Sequence, residues 1–131
     1  MSHFATIETQ IRDIEALKAA CAEMGLTVIP DSQARGYGTA QLKGEFVIKL
    51  KGPYDIAVNR QPDGTFGLTT DWWDGHVEKE VGTKYGKLLQ FYGVHKTMRE
   101  AQHKGYTVKR KSLADGSIRL AIAAGVTGRW A

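Results

Sequence analysis

The apolar positions of this chain change period several times, and each change predicts an element. Residues 2–8 alternate weakly, as a short strand would. Ile14, Leu17, Cys21 and Met24 then recur at spacings of three, four and three, which is one face of an amphipathic helix with Glu15, Lys18 and Glu23 off it. Asp13 suits the N-cap, because its carboxylate accepts from the free amides of the first turn. Gly25 suits the position just past the helix end. Leu26 to Ile29 reads as a strand stopped by Pro30-Asp31, and residues 33–39 read as a loop. Within it, Arg35-Gly36-Tyr37-Gly38 lacks the spacing and the Lys-Ser/Thr pair of a phosphate-binding loop, so it is a plain turn.

An antiparallel meander is expected next. Phe46, Ile48 and Leu50 alternate with Glu45, Val47 and Lys49; Tyr54, Ile56 and Val58 alternate with Asp55, Ala57 and Asn59. Pro62-Asp63-Gly64 turns the chain into a third strand at residues 65–70. A second helix is predicted from Tyr85 to Lys104, with Leu88, Leu89, Tyr92, His95, Met98 and Gln102 as a rough stripe interrupted by Gly86 and Gly93. Residues 106–111 and 117–122 form a hairpin around Asp115-Gly116, and a tail carrying Trp130 follows. The expected fold is α+β: an antiparallel sheet of about six or seven strands with two helices packed on one face, in a single domain spanning residues 1–131.

Composition adds few constraints. A chain of 131 residues can bury about two-thirds of its unfolded surface without staples. Cys21 is the only cysteine, which excludes an internal disulfide and a cysteine-rich metal site. It lies in the apolar stripe without a basic neighbour, as a core thiol would. No run approaches the ~18 apolar residues of a membrane span, and the first residues lack a secretory pattern. A cytoplasmic protein with no membrane association is expected.

Charge changes the picture more. The formal net charge is +4, but from residue 84 onward ten basic residues face only Glu100 and Asp115, an excess of eight. The remainder is net acidic. Such a split fits either an anionic partner or two faces of one domain that attract each other.

Candidate chemistry concentrates in three places. In Asp71-Trp72-Trp73-Asp74-Gly75-His76, two adjacent tryptophans cannot both enter one core from a strand. Trp72, Trp73 and Tyr37 are therefore the expected partner-binding residues. Asp71, Asp74 and His76 fit no strong ligand spacing, so no metal site is assigned. Tyr92, His95 and Arg99 share a helical face and form an alternative ligand site, with Asp71 and His76 as further members if catalysis is involved. Lys104, Lys109, Arg110 and Lys111 form an alternative nucleic-acid-binding group, although no recognised nucleic-acid motif is present. No catalytic residue and no cofactor is assigned.

Several strings together resemble the hypothetical chloroplast reading frame thirty-five family of algal plastids, cyanobacteria, other bacteria and phages. They are the opening residues 1–13, Leu17 with Ala20, Arg35-Gly36-Tyr37, Tyr54-Asp55-Ile56, Phe91-Tyr92-Gly93-Val94-His95, Gly105-Tyr106 and Asp115-Gly116-Ser117-Ile118-Arg119-Leu120. The chain departs from the family pattern at Gly93, in the basic Lys109-Arg110-Lys111, and in its C-terminal tail. The family has no assigned function. Its members are sometimes encoded beside an AAA-type ATPase, so the resemblance implies an adaptor or assembly role, with that ATPase as a partner. The preferred reading is a non-catalytic interaction module that docks on a protein partner or forms a homo-oligomer.

Overall fold

A computed structural model of the chain describes residues 3–124. The elements are β1 (Phe4–Glu8), α1 (Ile14–Glu23), β2 (Thr27–Arg35), β3 (Gln41–Lys49), β4 (Ile56–Arg60), β5 (Phe66–Asp71), the single-turn α2 (Glu78–Val81), α3 (Gly86–His103), β6 (Thr107–Ser112) and β7 (Ile118–Ala123). The fold is α+β, with the strands divided five and two. One antiparallel sheet has the order β1-β5-β4-β3-β2, and β6-β7 is a separate hairpin. The tail with Trp130 lies outside the described residues.

The inner face of the main sheet makes the core. Ile48, Ile56, Val58, Phe66 and Leu68 pack with Ala16, Leu17, Ala20 and Cys21 of α1 and with Leu88 and Tyr92 of α3. α1 starts where a donor needs an acceptor: Asp13 Oδ1 accepts from the amides of Glu15 (3.0 Å) and Ala16 (3.1 Å).

β2 departs from the expected pattern. It continues through Pro30 and Asp31 to Arg35, and residues 33–35 are strand rather than loop. Pro30 is tolerated because β2 is an edge strand, where a missing N–H costs no ladder bond on the open side. Asp31 has φ 48, yet pairing resumes in register, with Pro30 opposite Phe46 and Ser32 opposite Gly44. Beyond this kink the side chains exchange faces. Phe46 packs on the helix side, whereas Ala34 and Leu42 join Val47 and Ala57 in a second small cluster.

The tip of the β2–β3 hairpin thereby folds over the outer face of the sheet. The Asp55 amide donates to the Arg35 carbonyl (3.0 Å), and the Tyr37 amide donates to Asp71 (3.0 Å). Gly36 lies against the Phe4 ring so closely that an added Cβ would sit 2.6 Å from the ring's outermost carbon and push the ring aside. Asp55, fully buried, holds this crossing. It takes two bonds from the Arg35 guanidinium (2.8 Å each) and one each from the amides of Arg35 (2.9 Å) and Leu50 (3.2 Å). Burial alone would raise its pKa, but the Arg35 side chain, the two amides and the Arg35 charge together hold it below the usual value.

The β6–β7 hairpin sits beside α3. Arg110 grips Glu23 with two bonds (2.9 and 2.6 Å), and Gln90 donates to the Gly116 carbonyl (3.1 Å).

Candidate functional site

The site begins at the carboxylate of Asp71, buried at the end of β5. Oδ1 accepts from the Trp73 amide, two residues on (3.0 Å), as aspartates do when they start a turn. Oδ2 accepts from the Tyr37 amide (3.0 Å), so one side chain clasps two loops. The Tyr37 and Trp73 rings then meet edge to face, 5.9 Å apart at 83°. Both remain in solvent, at 52% and 43% exposure.

Trp72 turns the other way. Its ring packs on Tyr85 with 4.8 Å between centroids. It also lines an open, mainly apolar cavity of about 380 Å³ with Ala5, Ile7, Gly75, Glu78, Thr83 and Lys84. The adjacent tryptophans therefore serve different surfaces.

The segment behind the cavity is strained. Asp74 (φ 58), Lys84 (φ 51) and Tyr85 (φ 68) are left-handed, which costs about 1–2 kcal/mol each for a residue with a Cβ. Gly82 has φ 85, and a Cβ there would meet the Lys87 amide nitrogen at 2.7 Å. Burial of Val77, Val81, Tyr85 and Leu88, all fully inside, holds these turns in place. Helix α3 consequently starts at Gly86, with Tyr85 outside it in the left-handed conformation. The Tyr85 hydroxyl is buried without a hydrogen-bond partner, and desolvation pushes its pKa up.

β1 runs between the two aromatic surfaces. It pairs with β5 on one side, and among the described residues no strand covers its other side. Alternation places Ala5 and Ile7 on the cavity side and Phe4 and Thr6 on the side of Gly36 and Tyr37. The opposite edge differs. There Pro30, the kink at Asp31 and the Lys43–Asp31 ion pair (2.8 Å) interrupt β2.

Tyr92, His95 and Arg99 all face α1, each at its own contact. The Tyr92 hydroxyl accepts from the amides of Arg12 and Asp13 (3.2 Å each). Arg99 Nε donates to Asp13 Oδ2 (3.1 Å), and His95 Nε2 lies 2.7 Å from Glu23 Oε1. For Asp13, burial works upward, but the Ala16 amide, the Arg99 bond and charge, and the Glu15 amide hold its pKa below the usual value. Glu23 is also lowered, chiefly by its bonds from Arg110, with burial opposing and His95 adding.

Lys104, Lys109, Arg110 and Lys111 are all exposed, but Arg110 is committed to Glu23, with its guanidinium 5.8 Å from the Phe91 ring centroid. His76 is 3.7 Å from Asp74 and packs edge-on to Tyr54, while Asp71 faces the two amides. Among the described residues no three His, Cys, Asp or Glu side chains gather as metal ligands. Burial raises the Cys21 thiol to about 12, so it carries no thiolate near neutrality.

Sequence reasoning missed the cavity walls Ala5, Ile7, Glu78, Thr83 and Lys84, which come from segments about seventy residues apart and carry no local pattern. It also missed Asp71 as a clasp, although an aspartate two residues before Trp73 is a local turn signal.

Comparison with known proteins places these features in a family. The model described as protein of unknown function (DUF1257) matches residues 20–121. The uncharacterized protein ycf35 of Pyropia yezoensis is 30% identical over 126 residues, covering 93% of this chain and 96% of that relative. No solved structure matches the chain. With a family match over most of its length and a relative aligned nearly end to end, this chain belongs to the DUF1257 family of proteins of unknown function.

Proposed function

We propose that this chain is a protein-interaction module that receives an extended segment of a partner along the open edge of β1. One observation carries this reading: an uncovered edge strand lies between an apolar cavity walled by Trp72 and an exposed aromatic pair, Tyr37 and Trp73. Strand addition draws affinity from main-chain bonds and specificity from pockets for alternate side chains. The cavity receives one apolar side chain of the added strand, with Glu78 and Lys84 among its lining residues. Tyr37 and Trp73 supply rigid aromatic anchors of the kind that dominate binding energy.

Catalysis is less well supported. The Tyr92 hydroxyl, His95 Nε2 and Arg99 Nε are each engaged in holding α3 against the start and end of α1. No helix among the described residues is long and apolar enough to cross a membrane. Both an AAA-type ATPase, which the family resemblance implies, and a second copy of this chain can offer an extended strand.

The test is selection from a displayed random-peptide library, followed by amide-shift mapping of the selected peptides on the labelled protein. Peptides with an aromatic or large aliphatic anchor should emerge and should shift residues 4–8, 72–75 and 83–84. Ala5→Lys and Trp73→Ala should each weaken binding at least tenfold while leaving the melting temperature unchanged. Peptides that map elsewhere, or no selected binder at all, would overturn the reading.

A further inference from the structure

The outward face of the β6–β7 hairpin points to a second surface, independent of β1. Directly opposed residues share a face, and the pairs are Thr107 with Ala123, Lys109 with Ala121, and Lys111 with Arg119. All six are exposed. The intervening pairs, Val108 with Ile122, Arg110 with Leu120, and Ser112 with Ile118, lie on the other face, where Arg110 anchors the ribbon to Glu23. The hairpin is thus held by one face and presents three cations on the other.

Those cations are unbalanced. Among the described residues no ion pair or hydrogen bond engages the side chains of Lys109, Lys111 or Arg119. Asp115, the acid of the connecting turn, is occupied by the Ser117 amide (2.9 Å) and hydroxyl (2.6 Å). Lys111 and Arg119 stand directly across from each other, and like charges in that relation destabilise a strand pair. An anion bridging the two would turn that repulsion into attraction.

We infer that Lys109, Lys111 and Arg119 form a phosphate-contacting face that binds duplex DNA. Three features favour a duplex over other anionic partners. Lys109 and Lys111 are two strand positions apart, about 7 Å, close to two steps of axial rise along a DNA strand. The remaining residues of the face are Thr107, Ala121 and Ala123, small enough to let the ribbon approach a groove, and a major groove admits a two-stranded ribbon. The face also carries no large apolar side chain to insert into a bilayer, as an interfacial membrane surface would.

The test uses the full chain and a labelled 20-base-pair duplex of arbitrary sequence, followed by fluorescence anisotropy from 50 to 200 mM salt. Three phosphate contacts predict a log–log slope of about −2.7, a loss of about 40-fold over that range. Single alanine substitutions at Lys109, Lys111 and Arg119 should each reduce the slope by about one, and the triple variant should bind at least tenfold more weakly. A control triple variant, with Lys18, Lys43 and Lys51 changed to alanine, carries the same loss of charge on other surfaces and should bind like the parent. Melting curves keep the result interpretable, because relief of the Lys111–Arg119 repulsion predicts that Lys111→Ala does not lower the melting temperature. Absence of binding at 50 mM salt, a control variant that loses as much as the ribbon variant, or equal affinity for phosphatidylserine vesicles or polyglutamate would overturn the inference.

Discussion

Tyr85 holds opposed forces in one residue. Its backbone is left-handed, its ring is fully buried against Trp72, and its hydroxyl has no partner. A buried hydroxyl left unsatisfied costs about 1–3 kcal/mol, whereas the ring contributes its burial in full. Tyr85→Phe should therefore stabilise the protein by about 1 kcal/mol in urea unfolding, and a loss of stability would mean that the hydroxyl has a partner. Nothing in the local sequence announces this residue. Tyr85 looks like the first position of a helix, and it stands outside α3 because burial against Trp72 and the surrounding core holds its left-handed turn. Asp13 is the opposite case, because an N-cap acts on amides two and three residues away and is legible from its own neighbourhood.

Among elements, local periodicity revealed both long helices, the meander and the C-terminal hairpin, because each buries a face with its own period. It failed at β2. Pro30-Asp31 reads as a stop, yet the strand continues, because an edge position excuses the proline and the kink at Asp31 sends the hairpin tip across the sheet. That crossing joins two strings that carried the family resemblance, Arg35-Gly36-Tyr37 and Tyr54-Asp55-Ile56, through the Arg35–Asp55 pair. A third string, residues 91–95, supplies Tyr92 and His95 to the α1–α3 junction. Spacing put Tyr92, His95 and Arg99 on one helical face correctly, but it could not say that α1 would occupy that face. Tyr92→Phe removes an acceptor from two amides at the start of α1, and it should cost about 1 kcal/mol. Amide exchange should quicken first at residues 12–16. Unchanged exchange there would mean that water satisfies those amides equally well. Glu23→Gln acts on a different element: weakening the grip on Arg110 should speed exchange across β6 and β7 while leaving β3 to β5 protected. Uniform acceleration would show that the hairpin opens only with the whole domain.

At the scale of the whole molecule, the charge split between the acidic and basic parts of the chain has two uses. Part is spent internally, where Asp13 meets Arg99 and Glu23 meets Arg110, so that acids at the two ends of the first helix hold cations from beyond residue 84. Another part stays on the outward ribbon face at Lys109, Lys111 and Arg119. Among the carboxylates that join separate elements, Asp13 links α1 to α3, Glu23 links α1 to α3 and β6, and Asp55 links the hairpin tip to β4. The pKa of each is lowered on folding from its ordinary value of 3.8, 4.5 or 3.8. The unfolded chain then binds more protons than the folded one in acid, so stability rises with pH through that window. The contribution of each group is fully present above its unfolded pKa and is lost as pH falls through the folded value. Stability measured by urea titration should fall steeply below about pH 4, by up to about 1.4 kcal/mol per pH unit for each group titrating. Asp55→Asn, which removes the most deeply buried of the three charges, should cost about 3 kcal/mol at neutral pH and flatten the acid limb. An acid limb as steep in Asp55→Asn as in the parent would mean that the hairpin crossing does not depend on this charge, and that the edge and cavity beside β1 are held open by apolar packing alone.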